Sequence, residues 1–203
     1  MKVSVIIPTY KREHTIQTAL QSIYDQTYKD WEAIVVDNEP DHLYNFDHPQ
    51  VRYYHYIEEH GAGAVRNEGI RQAEGGLLCF LDDDDVFVPD YMKVMTSVFG
   101  NSEISIAHCL INFNEHTAPE HECHTPTMMI RKQYVTSTWT NRVDHDQWYY
   151  NTIISAVSNS KCRDWTDVLQ GKAPAGVCAH IPLVLVHAHR GCEGGLRAPG
   201  GEL

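Results

Sequence analysis

The chain reads as an α/β protein, a single domain built on a mostly parallel central sheet flanked by helices. Three stretches carry this expectation. Residues 3–7 form a continuous β-branched run ended by Pro8, the pattern of a strand covered on both faces. Ile16, Ala19, Leu20 and Ile23 then recur at helical spacing, and a second apolar run from Trp31 ends at Asp37. Strand, helix, strand is the unit that makes a parallel sheet.

The remaining elements follow in order. A loop over 9–13 separates the first strand from its helix, and a loop rich in Asp, His and Pro over 38–50 precedes a third strand at 51–57. Gly61-Ala62-Gly63 leads into a helix over 64–74, marked by Val65, Ile70 and Ala73 and stopped by Gly75-Gly76. The fourth strand is 77–81. Pro89 opens a helix over 90–99 with Tyr91, Val94, Met95 and Val98 on one face. Beyond it the pattern gives strands at 104–113 and 128–131, a helix over 147–157 with Trp148, Ile153 and Ile154 inward, and a last strand at 181–187. The tail 191–203 is rich in Gly and has the composition of a disordered segment. Neither an internal repeat nor a second-domain linker is seen.

Composition narrows the partners. A chain of 203 residues is long enough for one sizeable core, and a net charge of −11 argues against nucleic-acid binding, which needs a basic face. The six cysteines form no CxxC pair and read as free thiols of a cytoplasmic protein. No apolar run approaches the roughly 20 residues of a transmembrane helix, which leaves peripheral membrane contact open. Among the thirteen histidines, His121, Cys123 and His124 cluster and Cys178 precedes His180, but neither spacing is that of a familiar zinc site.

The run Asp82-Asp83-Asp84-Asp85 at the end of the fourth strand is the chief candidate for chemistry. Like charges so close disfavour one another's ionisation, whereas a hard divalent cation turns the crowding into a binding site. The plain alternative is a solvated acidic turn. Thr9, Asp37 and Asp82 fall at the carboxyl ends of three strands, and ligands bind at that edge of open α/β sheets.

The chain resembles the family 2 glycosyltransferases, which have the GT-A fold with a Rossmann-like sheet. The resemblance rests on Val3-Ser4-Val5-Ile6-Ile7-Pro8-Thr9-Tyr10, on Gln26-Thr27-Tyr28 with Trp31-Glu32 before Asp37, on Ala64-Val65-Arg66-Asn67-Glu68-Gly69-Ile70, and on Phe80-Leu81 before the acidic run, with Pro89 beyond it. It implies a GT-A domain over 1–190, with a nucleotide-sugar-binding half at 1–100 and an acceptor half at 101–190. It also implies metal-assisted, inverting transfer of a sugar from a UDP- or dTDP-sugar to a hydroxyl on a glycan, lipid or protein. Asp37 would accept the N–H of the base. Pro8, Thr9, Tyr10 and Arg12 would line base and ribose, and Arg66 would approach the diphosphate. The acidic run corresponds to the family's DxD motif, with Asp84 and Asp82 toward Mn²⁺ or Mg²⁺ and Asp82 or Asp83 toward ribose or metal-bound water; a four-Asp run allows more than one register. Val143-Asp144-His145-Asp146 resembles the segment that supplies the base, so Asp144 is the expected base and Asp146 the second choice. His189, ahead of His187, is the expected histidine near metal or diphosphate.

Three departures stand out: Val143 where glutamate is common, Asn38-Glu39-Pro40 where Asp-Gly-Ser often follows Asp37, and a short chain that leaves little for an acceptor lid. Two rivals remain at this level. A sugar-phosphate nucleotidyltransferase would need a Gly-rich loop where Pro8-Thr9-Tyr10-Lys11-Arg12-Glu13 stands, and a catalytically silent sugar-nucleotide binding module would bind donor without turnover.

Overall fold

The computed structural model describes residues 1–41, 43–58, 61–102, 104–113, 116–117, 125–135, 163–164 and 177–188. The expected helix at 147–157, the tail at 191–203 and the cluster of His121, Cys123 and His124 lie outside the described residues.

The first half is a parallel sheet with crossover helices. Strand β1 (Val3–Thr9) is followed by helix α1 (Glu13–Tyr24), β2 (Trp31–Asp37), β3 (Val51–His55), α2 (Ala62–Gln72) and β4 (Leu77–Phe80). β1 lies in the middle, paired in parallel with β2 on one side (Val3↔Trp31 through Thr9↔Asp37) and with β4 on the other (Val3↔Leu77 through Ile6↔Phe80). β3 adds in parallel outside β2. Strand order therefore reverses at the β1/β4 boundary.

The second half is mixed. It contributes β5 (Asp85–Phe87), α3 (Tyr91–Val98), β6 (Ile104–Phe113), β7 (His116–Thr117), β8 (Met128–Arg131), β9 (Arg163–Asp164) and β10 (Val177–Ala188). Among the described residues the main path runs β3-β2-β1-β4-β8-β6-β10-β5. β8 is antiparallel to both β4 and β6, β10 is parallel to β6, and β5 closes the edge antiparallel to β10.

Packing follows the alternation of side chains across the sheet. Val3, Val5 and Ile7 of β1 pack with Ile16, Leu20 and Ile23 of α1 and with Tyr91, Met92, Met95 and Val98 of α3 in the main core. Ile34, Val36 and Leu78 pack with Val65 of α2 in a second cluster. α2 approaches β1 closely, because a Cβ at Gly69 would stand 2.4 Å from Cγ2 of Ile6.

Differences from the expected boundaries have local causes. α2 starts at Ala62 rather than 64, since Gly61 turns the chain at φ 102° and accepts the Val65 N–H, placing Gly63 inside the first turn. α3 starts after Asp90, whose carboxylate accepts the Thr27 hydroxyl at 2.6 Å instead of capping its own helix. Nearby Gln26 is fully buried; its amide donates to the Ser22 and Val88 carbonyls and accepts the Met92 N–H. That one side chain ties the end of α1 to the segment that follows the acidic run.

At the amino edge of the sheet Glu32 is buried but fully partnered. Oε1 accepts from the Ser4 hydroxyl and the N–H groups of Glu74 and Gly75, while Oε2 faces Lys2 and Arg52 at 3.2 and 3.1 Å. Burial pushes its carboxyl up, but these bonds outweigh burial and bring it down to about 2. Cys79 and Cys109 are buried and form no disulfide.

Candidate functional site

The carboxyl ends of β1, β2 and β4 meet at one edge, and the acidic run leaves β4 there in a tight turn. The Asp85 N–H donates to the Asp82 carbonyl at 3.0 Å, and Leu81 still bonds to Ile6 of β1. The turn divides the run. Asp83 points into the sheet edge, where the Thr9 hydroxyl donates to its Oδ2 at 2.7 Å. Asp82 and Asp84 on either side remain partly open, with side-chain exposures of 32% and 22%.

The Thr9 to Asp83 bond crosses the β1/β4 boundary where strand order reverses, the place at which open α/β sheets bind ligands. Burial, reinforced by Asp84 and Asp82, pushes the Asp83 carboxyl up to about 7, against the pull of the Thr9 hydroxyl and Arg12.

Each open carboxylate holds an arginine. Arg66, buried in α2, donates from Nη2 to Asp82 Oδ1 at 2.7 Å, and Arg12 donates from Nη1 to Asp84 Oδ2 at 3.3 Å. Arg12 reaches back because Lys11 adopts φ 56°, a left-handed conformation uncommon outside glycine. Such strain between Tyr10 and Arg12 is characteristic of loops that place functional groups. Pro8 sits within β1 opposite Val36, and Tyr10 lies half-buried beneath Lys11.

Asp37 ends β2 fully buried. Its Oδ1 accepts the Glu39 N–H and its Oδ2 accepts the Tyr53 hydroxyl, both at 2.9 Å. Asn38 ties this corner together: its N–H donates to the Thr9 carbonyl, its amide donates to the Tyr56 carbonyl, and its Oδ1 accepts the Gly61 N–H. Tyr53 is not singled out by the sequence, and Asn38 stands out there only as a departure from the family pattern. Their partners lie on other segments of the chain, and no local pattern announces them.

The structure thus gathers Pro8, Thr9, Tyr10, Arg12, Asp37, Arg66, Asp82, Asp83 and Asp84 at one edge. Asp144, Asp146 and His189 lie outside the described residues. β10 ends alongside the run, with Ala188 opposite Asp85 and exposed His187 opposite Val86. Among the described residues no group of three or more His, Cys, Asp or Glu forms a ready-made cation cage. Asp82 and Asp84 offer hard oxygen donors, a set that suits Mg²⁺ or Mn²⁺ when ligand phosphate oxygens complete the shell. No helix of the described residues is long and apolar enough to cross a membrane.

Solved structures place this architecture among the GT-A glycosyltransferases. TarS 1–349 of S. aureus, in complex with UDP-GlcNAc, superposes with a TM-score of 0.71 at 19% identity, covering 97% of this chain and 60% of that one. The mannosyltransferase PcManGT from Pyrobaculum calidifontis, in complex with GDP-Man and Mn²⁺, gives 0.67 at 16% identity, covering 95% and 58%. The family model for glycosyl transferase family 2 matches residues 4–162, and the chain belongs to that family. The UDP-Glc:alpha-D-GlcNAc-diphosphoundecaprenol beta-1,3-glucosyltransferase WfgD of Escherichia coli is 29% identical over 111 residues, covering 52% of this chain and 44% of that protein. The putative glycosyltransferase EpsH of Bacillus subtilis (strain 168) is 35% identical over 105 residues, covering 49% and 30%. The matched regions span under half the length of these curated relatives.

Proposed function

We propose that the chain binds a nucleotide sugar at the carboxyl edge of β1, β2 and β4 and transfers its sugar to a hydroxyl acceptor. The observation that carries this reading is the gathering of a buried carboxylate, Asp37, two arginines and the split acidic run around the switch point. Asp37 accepts an N–H of the base, Pro8, Thr9, Tyr10 and Arg12 line base and ribose, and Arg66 holds the diphosphate in the fixed fork of its guanidinium. Asp82 faces the ribose or a metal-bound water, while Asp83 holds Thr9 in place.

UDP-sugars are the favoured donors, supported by the UDP-GlcNAc complex of TarS and the UDP-Glc named for WfgD. The GDP-Man complex of PcManGT makes GDP the comparison to run. Asp84 and Asp82, together with His189, would hold Mn²⁺ or Mg²⁺, which when bound neutralises charge on the departing diphosphate. Residues 1–100 form the donor half and 101–190 the acceptor half. With Asp144 removing the acceptor proton, attack is a single in-line displacement and the anomeric centre inverts. Cys79 and Cys109, buried and outside any disulfide, fit a reducing, cytoplasmic setting.

Thermal shifts with UDP, dTDP, GDP and CDP, each with Mn²⁺ and with chelator, test the donor site. A ligand at 100 times its Kd stabilises by about 2.7 kcal/mol. A metal-dependent shift with UDP or dTDP is the expected result, and folded protein that responds to no nucleotide would sink the reading. Pyrophosphate release would instead identify a nucleotidyltransferase, and donor binding without transfer to any acceptor a silent module.

A further inference from the structure

We propose, on the donor-site assignment above, that Tyr53 is a positioning residue that locks the carboxylate of Asp37 and so sets the preference for a base carrying an N–H at its pairing edge. A carboxylate attached through an sp³–sp² bond has a broad torsional well and rotates unless its oxygens are held. At Asp37 both are held. The Glu39 N–H takes Oδ1 from the same loop, and the Tyr53 hydroxyl takes Oδ2 from β3, each at 2.9 Å. Two such bonds, from the loop and from a neighbouring strand, fix the plane of the carboxylate.

Tyr53 is itself braced. Its ring meets Tyr44 and Phe46 edge-on, at 6.1 and 6.0 Å between centroids, and those two rings stack on each other at 5.5 Å. Burial, then the bond to Asp37, pushes the Tyr53 phenol above its usual range, so it remains the donor throughout the neutral range.

A held, acceptor-only carboxylate accepts the N3–H of uracil or thymine and repels the N3 lone pair of cytosine. Buried polar groups built to pair with a donor discriminate strongly against a ligand that lacks it.

The test is Tyr53→Phe, which keeps the ring in its aromatic bracket and deletes only the hydroxyl. Calorimetric Kd values for UDP and CDP are measured in wild type, Tyr53→Phe, Asp37→Asn and the double variant. The expected result is a UDP affinity roughly tenfold lower in Tyr53→Phe, the size of one hydrogen bond to a charged acceptor, with CDP little changed. On the Asp37→Asn background the Tyr53 effect should vanish. A merely structural role would weaken both nucleotides together and leave their ratio alone, overturning the proposal. Equal or tighter UDP binding by Tyr53→Phe would also overturn it, because the hydroxyl would then compete for Asp37. If wild type itself does not distinguish UDP from CDP, the donor-site assignment fails and the proposal with it; a wild-type preference that survives in Tyr53→Phe refutes the proposal alone.

Discussion

Replacing Asp82 with Asn should change UDP affinity in opposite directions with and without metal. Arg66 is 4% exposed, and its Nη2 lies 2.7 Å from Asp82 Oδ1. A phosphate at Arg66 competes with that carboxylate for the guanidinium. The pair is sealed on the arginine side but open on the aspartate side, where side-chain exposure is 32%. Its opening therefore costs about 1 kcal/mol, nearer a surface ion pair than a buried one. That is about fivefold in Kd. In chelator, Asp82→Asn removes the competition, and the variant should bind UDP about fivefold tighter than wild type. With Mn²⁺ the same substitution exchanges an anionic oxygen ligand for a neutral amide oxygen, and UDP should bind about tenfold weaker. Isothermal titration of both proteins under both conditions gives the crossover directly. Weaker binding by Asp82→Asn in chelator, or the same change in both buffers, would refute the exchange of partners.

Three further outcomes follow from the structure. Glu32 has its carboxyl lowered from 4.5 to about 2, so its bonds stabilise the fold above pH 4.5 and that contribution is lost as pH falls toward 2. Glu32→Gln should cost about 2 kcal/mol at pH 6 and almost nothing near pH 2, allowing for solvent screening at Lys2 and Arg52; a cost independent of pH in urea melts would contradict this. Gly69→Ala drives a methyl to 2.4 Å from Ile6 Cγ2 and should destabilise by about 2 kcal/mol. Ile6→Ala removes both γ carbons and should cost less in the Gly69→Ala chain than in wild type, whereas strict additivity would show that the two side chains do not meet. Asp144→Asn should leave UDP affinity within about twofold while lowering transfer by 100-fold or more; loss of UDP binding would put Asp144 among the donor contacts instead.

Continuous apolar runs made the fold legible. The strands expected at 104–113 and 128–131 fall where β6 and β8 do, and α1 buries the four apolar residues that its spacing marks. β5 was missed because its three residues begin within the acidic run, and its pairing partner lies about a hundred residues on, in β10. The candidate site was legible as residue types but not as geometry. That Asp83 turns inward while its neighbours face arginines follows from the turn after β4, which a run of identical residues cannot encode. Tyr53 lies on a strand that is half-buried over most of its length, so no alternation marks which side chain reaches Asp37.

The two edges of the sheet hold carboxylates in contrasting ways, and the contrast separates fold from function. At the amino edge, Glu32 accepts from two backbone N–H groups and a hydroxyl as well as facing two cations. Backbone donors cannot be withdrawn without unfolding, and breaking such a buried set is strongly destabilising. At the carboxyl edge, Asp82 and Asp84 face the guanidiniums of Arg66 and Arg12, long side chains that can swing to a phosphate without disturbing the main chain. On the proposed reading, a diphosphate with its cation would present complementary charges to both members of each pair, so the exchange would keep both pairs compensated. This is why Asp82 and Asp84 can persist there: each is balanced before a ligand arrives by an arginine that a ligand could draw away.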